Sequence, residues 1–95
     1  MSDEKKAPSI YELLMYMTEQ MSAVSWQKLG LQPDMVTGKL EANLAEARVA
    51  IDVTAYLVSQ IEHNLDEDDK RQVQRMVRDL RINYVQKNND AGGSA

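Results

Sequence analysis

Residues 9–30, SIYELLMYMTEQMSAVSWQKLG, carry more apolar surface than one helix of a small bundle uses. At about 100° per residue, Ile10, Leu13, Leu14, Met17, Met21 and Val24 fall on one stripe. A second set, Tyr11, Met15, Trp26 and Leu29, lies about a third of a turn away. The small hydroxyl residues Thr18, Ser22 and Ser25 sit between the two, and Glu12, Glu19, Gln20 and Gln27 mark the wet sector. Apolar or small side chains therefore cover roughly 200° of the circumference, where an ordinary amphipathic helix needs a stripe of about 100° or a little more. What covers the surplus decides the architecture.

Local signals frame this segment and two more helices. Ser9 and Glu12 have capping-box spacing, so hydroxyl and carboxylate each take a backbone N–H left free at the helix start. Gly30 supplies the left-handed residue that stops a helix, and Leu31 is placed to fold back on Trp26. Residues 31–42, LQPDMVTGKLEA, contain Pro-Asp and Thr-Gly turn chemistry and make a long link for a compact helical domain. Leu40 is expected to tuck inward. Asn43 opens the second helix, with Glu46 again at the capping-box position; Asn64 is its expected left-handed terminator. Asp66 caps the third, and Glu67, Asp68 and Asp69 fill a first turn where negative charge suits the helix dipole. The predicted fold is all-α: one domain over 9–87, with helices at about 9–29, 43–63 and 66–86. The last two form an antiparallel hairpin, and residues 1–8 and 88–95 are disordered tails.

The other faces follow the same periodicity. The second helix has a broad stripe of Leu44, Ala47, Ala50, Ile51, Thr54, Leu57, Val58 and Ile61, with Val49, Val53 and Tyr56 outside it. The third points Val73, Met76, Val77, Leu80 and Tyr84 one way and Arg71, Arg75 and Arg78 the other. The expectation is that the Ile10–Val24 stripe is buried within the chain's own bundle. A second copy then covers the excess: Tyr11, Met15, Thr18, Ser22 and Trp26 of the first helix, with Val49, Val53 and Tyr56 of the second. A homodimer is expected, with a tetramer as the alternative. The competing arrangement is a lid, with Leu31, Met35, Val36 and Leu40 of the connection folded over the second stripe.

Composition bounds the rest. Fewer than about 80 structured residues make a marginal monomer, for which association is a common remedy. Absence of cysteine excludes a disulfide framework and thiolate metal sites. With no signal-peptide pattern and no long apolar run, a cytoplasmic location without membrane contact is expected. A net charge of −4 argues against nucleic acid as the principal partner.

The chain offers little for catalysis. The sole histidine, His63, falls in the last turn of a predicted helix, where partial positive charge suits the dipole. Asp66–Asp69 lack the glycine and alternating oxygens of a calcium loop. Neither a nucleophile–base pair nor a phosphate loop is present, so no enzyme, cofactor or metal is expected. Arg71, Arg75, Arg78 and Arg81 are candidate contacts for an anion or a partner. Arg75 is spaced to pair with Asp79, and Asp52 with Arg48 or, between helices, with Arg81.

The ordered series Leu29-Gly30, Pro33-Asp34, Thr37-Gly38, Asn43-Leu44, Ile51-Asp52, Leu65 before an acidic helix start, and Asp79-Leu80-Arg81-x-x-Tyr84-Val85 resembles the bacterial family called domain of unknown function 1844. The resemblance spans about residues 10–85. The first helix departs from it in being rich in Met and Tyr and lacking Phe. The resemblance implies a small all-helical protein and brings no catalytic residues. The functional expectation is a non-enzymatic interaction or structural protein that self-associates through a Met/Tyr-rich helical surface, with room for one unidentified protein partner. The alternative is a nucleic-acid-associated or regulatory module using the basic face of the third helix.

Overall fold

Three capped starts give three helices. A computed structural model of the chain describes residues 6–93; residues 1–5 and 94–95, parts of the expected tails, lie outside the described residues. The helices are α1 (Ile10–Lys28), α2 (Leu44–Ile61) and α3 (Glu67–Asn88), and no strand occurs among the described residues. At α1 both halves of the capping box form: the Glu12 amide donates to Ser9 Oγ (3.1 Å) and the Ser9 amide to Glu12 Oε1 (2.9 Å). At α2 only half forms. Asn43 Oδ1 accepts from the Glu46 amide, while the Glu46 carboxylate turns to Lys28 at 2.7 Å. Asp66 caps α3 by accepting from the Asp69 amide.

The ends differ in mechanism. α1 closes with the Schellman pattern: Leu31 N–H donates to Trp26 C=O (3.1 Å), Gly30 N–H donates to Gln27 C=O (2.9 Å), and Gly30 has φ +78°. A Cβ at Gly30 would also meet the Ala42 Cβ at 3.1 Å, because the connection returns here and the Asn43 amide donates to Lys28 C=O. Gly30→Ala is therefore expected to cost about 1–2 kcal/mol for the left-handed conformation plus the contact, lowering Tm by roughly 5–15 °C. Gly38→Ala, at φ +72° with open space around it, is expected to cost less. Thermal unfolding of both variants checks the order, and equal effects would remove the contact from the explanation.

Two expected termini are corrected. Asn64 is not left-handed, since no residue other than glycine has positive φ among the described residues. Instead α2 tightens into a 3-10 turn, Glu62–Asn64, closed by Leu65 N–H to Glu62 C=O. His63 lies in that turn rather than in α2. At the other end α3 runs past residue 86 to Asn88 and continues as a π-type turn, Asn89–Gly93, so 88–93 is not an unstructured tail. Adding residues to an existing helix gains one hydrogen bond each, which even a polar segment can use.

Core formation centres on a seam of small residues. Thr18, Ser22 and Ser25 of α1 are buried, as are Ala47, Ala50 and Thr54 of α2. Small side chains let the two backbones approach closely. Each buried hydroxyl in the seam that would otherwise want a partner finds one four residues back: Thr18 on Leu14 C=O, Ser25 on Met21 C=O, and Thr54 on Ala50 C=O, at 2.7–2.9 Å. The Ser25 and Thr54 oxygens meet across the seam at 3.5 Å. Beside it, Leu29, Ala47, Ile51 and Leu80 form the core cluster, with Trp26, Leu44, Met76 and Tyr84 packed against it. Val73 and Leu80 are the buried residues through which α3 docks. The molecule is elongated, 64 × 31 × 18 Å, with a radius of gyration of 16.0 Å where a compact chain of this length has about 12 Å.

Candidate functional site

The two stripes of α1 take opposite roles from those expected. The hydroxyl line between them is the centre of the buried seam. On one flank Met15 shares a cavity with Val73 and Met76 of α3, and Trp26 packs on the core cluster. This is the stripe expected to meet a second copy, and the chain's own third helix covers it. Thr18 and Ser22, expected at the same interface, are buried against α2. On the other flank Ile10, Leu13 and Met17 are about half exposed, although they were expected inside. The same side of α2 presents Val49 (63% exposed), Val53 (38%) and Tyr56, as expected. Tyr11, at the start of α1, is also well exposed.

These residues make one continuous apolar face. Met21, Val24, Val49 and Val53 line a groove of about 300 Å³ between α1 and α2, closed at one end by the Lys28–Glu46 pair. The spacing of Met17, Met21 and Val24 on α1, and of Val49, Val53 and Tyr56 on α2, continues it along both helices. Sequence reasoning missed the α1 contribution, because periodicity reports that a stripe is apolar and not which neighbour reaches it. Glu46 donates no proton but accepts a hydrogen bond from Lys28, and this bond with its opposite charge raises the ammonium pKa above 10.5. The groove end thus stays an ion pair across the neutral range.

The connection does not form the lid. Met35, Val36 and Leu40 are all largely exposed (77, 92 and 64%), so Leu40 does not tuck inward. The segment is held by its own turn: Asp34 Oδ1 accepts from the Val36 (2.8 Å) and Thr37 (2.9 Å) amides, and Asp34 N–H donates to Lys39 C=O. The amide bonds from Thr37 and Val36 lower the Asp34 pKa below its ordinary 3.8. A lowered carboxylate value stabilises the turn above that ordinary value, and the contribution is lost as pH falls through the lowered one. The Val36 and Thr37 amide resonances are therefore expected to titrate together with a midpoint below 3.8. A midpoint at or above the free carboxylate value would disprove the bonds in solution.

On α3 the four candidate arginines divide. Arg71 pairs with Asp68, one turn earlier. Arg81 reaches toward Asp52 at 4.0 Å, the interhelical choice, and the expected Arg48–Asp52 and Arg75–Asp79 pairs are not among the ion pairs of the described residues. Arg75 and Arg78 stand on the solvent side, opposite Leu80. A Gln74–Glu62 hydrogen bond (2.9 Å) and the Arg81–Asp52 contact tie α3 to α2 along their length. Among the described residues no three His, Asp or Glu side chains gather to hold a metal ion, and no helix is long and apolar enough to cross a membrane.

The family model described as Domain of unknown function (DUF1844) matches residues 12–86. No curated protein and no solved structure matches the chain.

Proposed function

The chain belongs to the DUF1844 family, and from that premise we propose that it is a non-enzymatic interaction protein of the cytoplasm whose open α1–α2 face is covered by a second copy. One observation carries this reading. The Met17–Met21–Val24 and Val49–Val53 stripes stay open after the chain's third helix and its connection have both been placed elsewhere. Exposed contiguous apolar surface of this kind marks an interface. Met and Tyr, which supply much of it, are enriched in the buried centres of such contacts, and Met adapts to irregular ones.

The amount of surface supports association. The chain exposes 6856 Å², against about 5,500 Å² for a compact monomer of its mass, and a standard interface takes roughly 800 Å² from each partner. One continuous face fits a two-fold dimer, in which the same patch serves both chains. The reading joins two α1–α2 pairs into a four-helix core, with each α2–α3 hairpin holding its third helix outside. A tetramer would need a second apolar face of similar size. Light scattering tests the proposal: a mass twice that of the chain over a wide concentration range is expected. A folded single chain at high concentration would overturn it.

A further inference from the structure

We propose that the outward side of α3 is a second interaction surface, separate from the self-association face, and that it docks an acidic amphipathic helix of another protein. From Lys70 to Lys87 the helix carries six cations against one carboxylate, Asp79, in a chain whose net charge is −4. Arg75 and Arg78 enter no ion pair among the described residues, and Arg81 is only loosely held by Asp52. Among these cations sit apolar side chains that the chain does not use: Ile82 is 55% and Val85 58% exposed.

The mixture is arranged as a groove. Gln74, Val77, Arg78, Arg81, Ile82 and Val85 line one depression along α3. A second adjoins it, sharing Arg81 and Val85, and runs toward α2, where Arg48 adds another unpaired cation. From Gln74 to Val85 the groove spans about 17 Å, or three turns of a partner helix. Such a helix would set its apolar stripe on Val77, Ile82 and Val85 and its flanking carboxylates on Arg78, Arg81 and Arg75.

Charge complementarity selects this occupant over two others. A second copy of α3 placed antiparallel about the groove centre would bring Arg78 against Arg81 of its twin, cation on cation. A nucleic acid would satisfy the arginines but leave Ile82 and Val85 facing phosphate. The surface also offers no aromatic platform for bases, since Tyr84 is half-buried against the core. Arg71, engaged by Asp68, lies at the margin and contributes little.

The test uses the full chain and three labelled probes: a helical peptide of about 18 residues with leucines on one stripe flanked by glutamates, the same peptide with lysine for every glutamate, and a polyuridylate of about 20 nucleotides. Fluorescence anisotropy is expected to show binding of the glutamate peptide alone, weakening with salt. Arg78→Glu and Ile82→Glu are each expected to weaken it about tenfold or more, and Arg71→Glu by less than about twofold. Circular dichroism and native mass should be unchanged in all three variants, because these side chains lie away from the α1–α2 face. No binding of the glutamate peptide, equal binding after Arg78→Glu, or preference for the polyuridylate would each overturn the assignment.

Discussion

Replacing Leu80 with alanine is expected to destabilise the protein by about 2–5 kcal/mol and to lower Tm by at least 10 °C or so. Leu80 is fully buried, and it is the residue of α3 that enters the core cluster with Leu29, Ala47 and Ile51. Val73 is the only other buried residue on that helix among those described. A chain of this length has on the order of 5–14 kcal/mol in all, so losing one leucine removes a large share. The loss is local in origin. The α1–α2 seam of Thr18, Ser25, Ala47 and Thr54 does not touch the cavity directly except at Ala47, so hydrogen exchange should show α3 amides losing protection before those of the seam. Ile82→Ala, two residues on and more than half exposed, should stay within about 0.5 kcal/mol. If the two substitutions had similar effects, α3 would not be docked through Leu80.

That asymmetry within α3 was legible in the sequence, as were most helix starts. Ser9 with Glu12, Asn43 with Glu46 and Asp66 with Asp69 act over one turn of chain, and a pattern read over one turn contains the whole interaction. Gly30 is equally local. The two stripes of α1 were also visible, with the hydroxyls between them. Their assignment was not. Thr18, Ser22 and Ser25 looked like spacers, yet each is small enough to let α2 approach closely, and Thr18 and Ser25 satisfy their own hydroxyls on the preceding turn. Once that seam forms the core, which flank is covered depends on the side where α3 returns. The tight turn at Glu62–Asn64 sets that side, and no periodicity in α1 records it. Leu40 failed for a related reason: apolarity suggested burial, but Asp34 and its two amides fix the connection in a turn that leaves Leu40 outside. At the basic face the spacing of the arginines was plain, while their choice of carboxylate was not. Arg75 and Asp79 have the spacing of a pair that does not form, because an exposed pair of this kind is worth only a few tenths of a kcal/mol.

The reversed stripes make the sharpest prediction. Met17→Glu combined with Val53→Glu is expected to give a folded single chain, its association weakened on the order of 100-fold or more. Met15→Glu combined with Trp26→Glu is expected to unfold the chain. In the first pair both residues are partly exposed, at 50% and 38%, so within one chain the carboxylates stay hydrated. A two-fold contact would instead bury four of them among apolar groups with no cation nearby, at several kcal/mol in total, and each 1.4 kcal/mol is tenfold in affinity. In the second pair, Glu at 15 would face the cavity shared with Val73 and Met76, and Glu at 26 would open the cluster around Leu29. Those charges have no route to water without releasing α3. Circular dichroism and light scattering on the two double variants read both outcomes at once. Had a second copy covered the Met15–Trp26 flank, the results would exchange: the second variant would be the folded single chain, and the first would keep its native mass or lose its fold. An unchanged mass in the Met17→Glu/Val53→Glu protein would show that the open face is not where two chains meet.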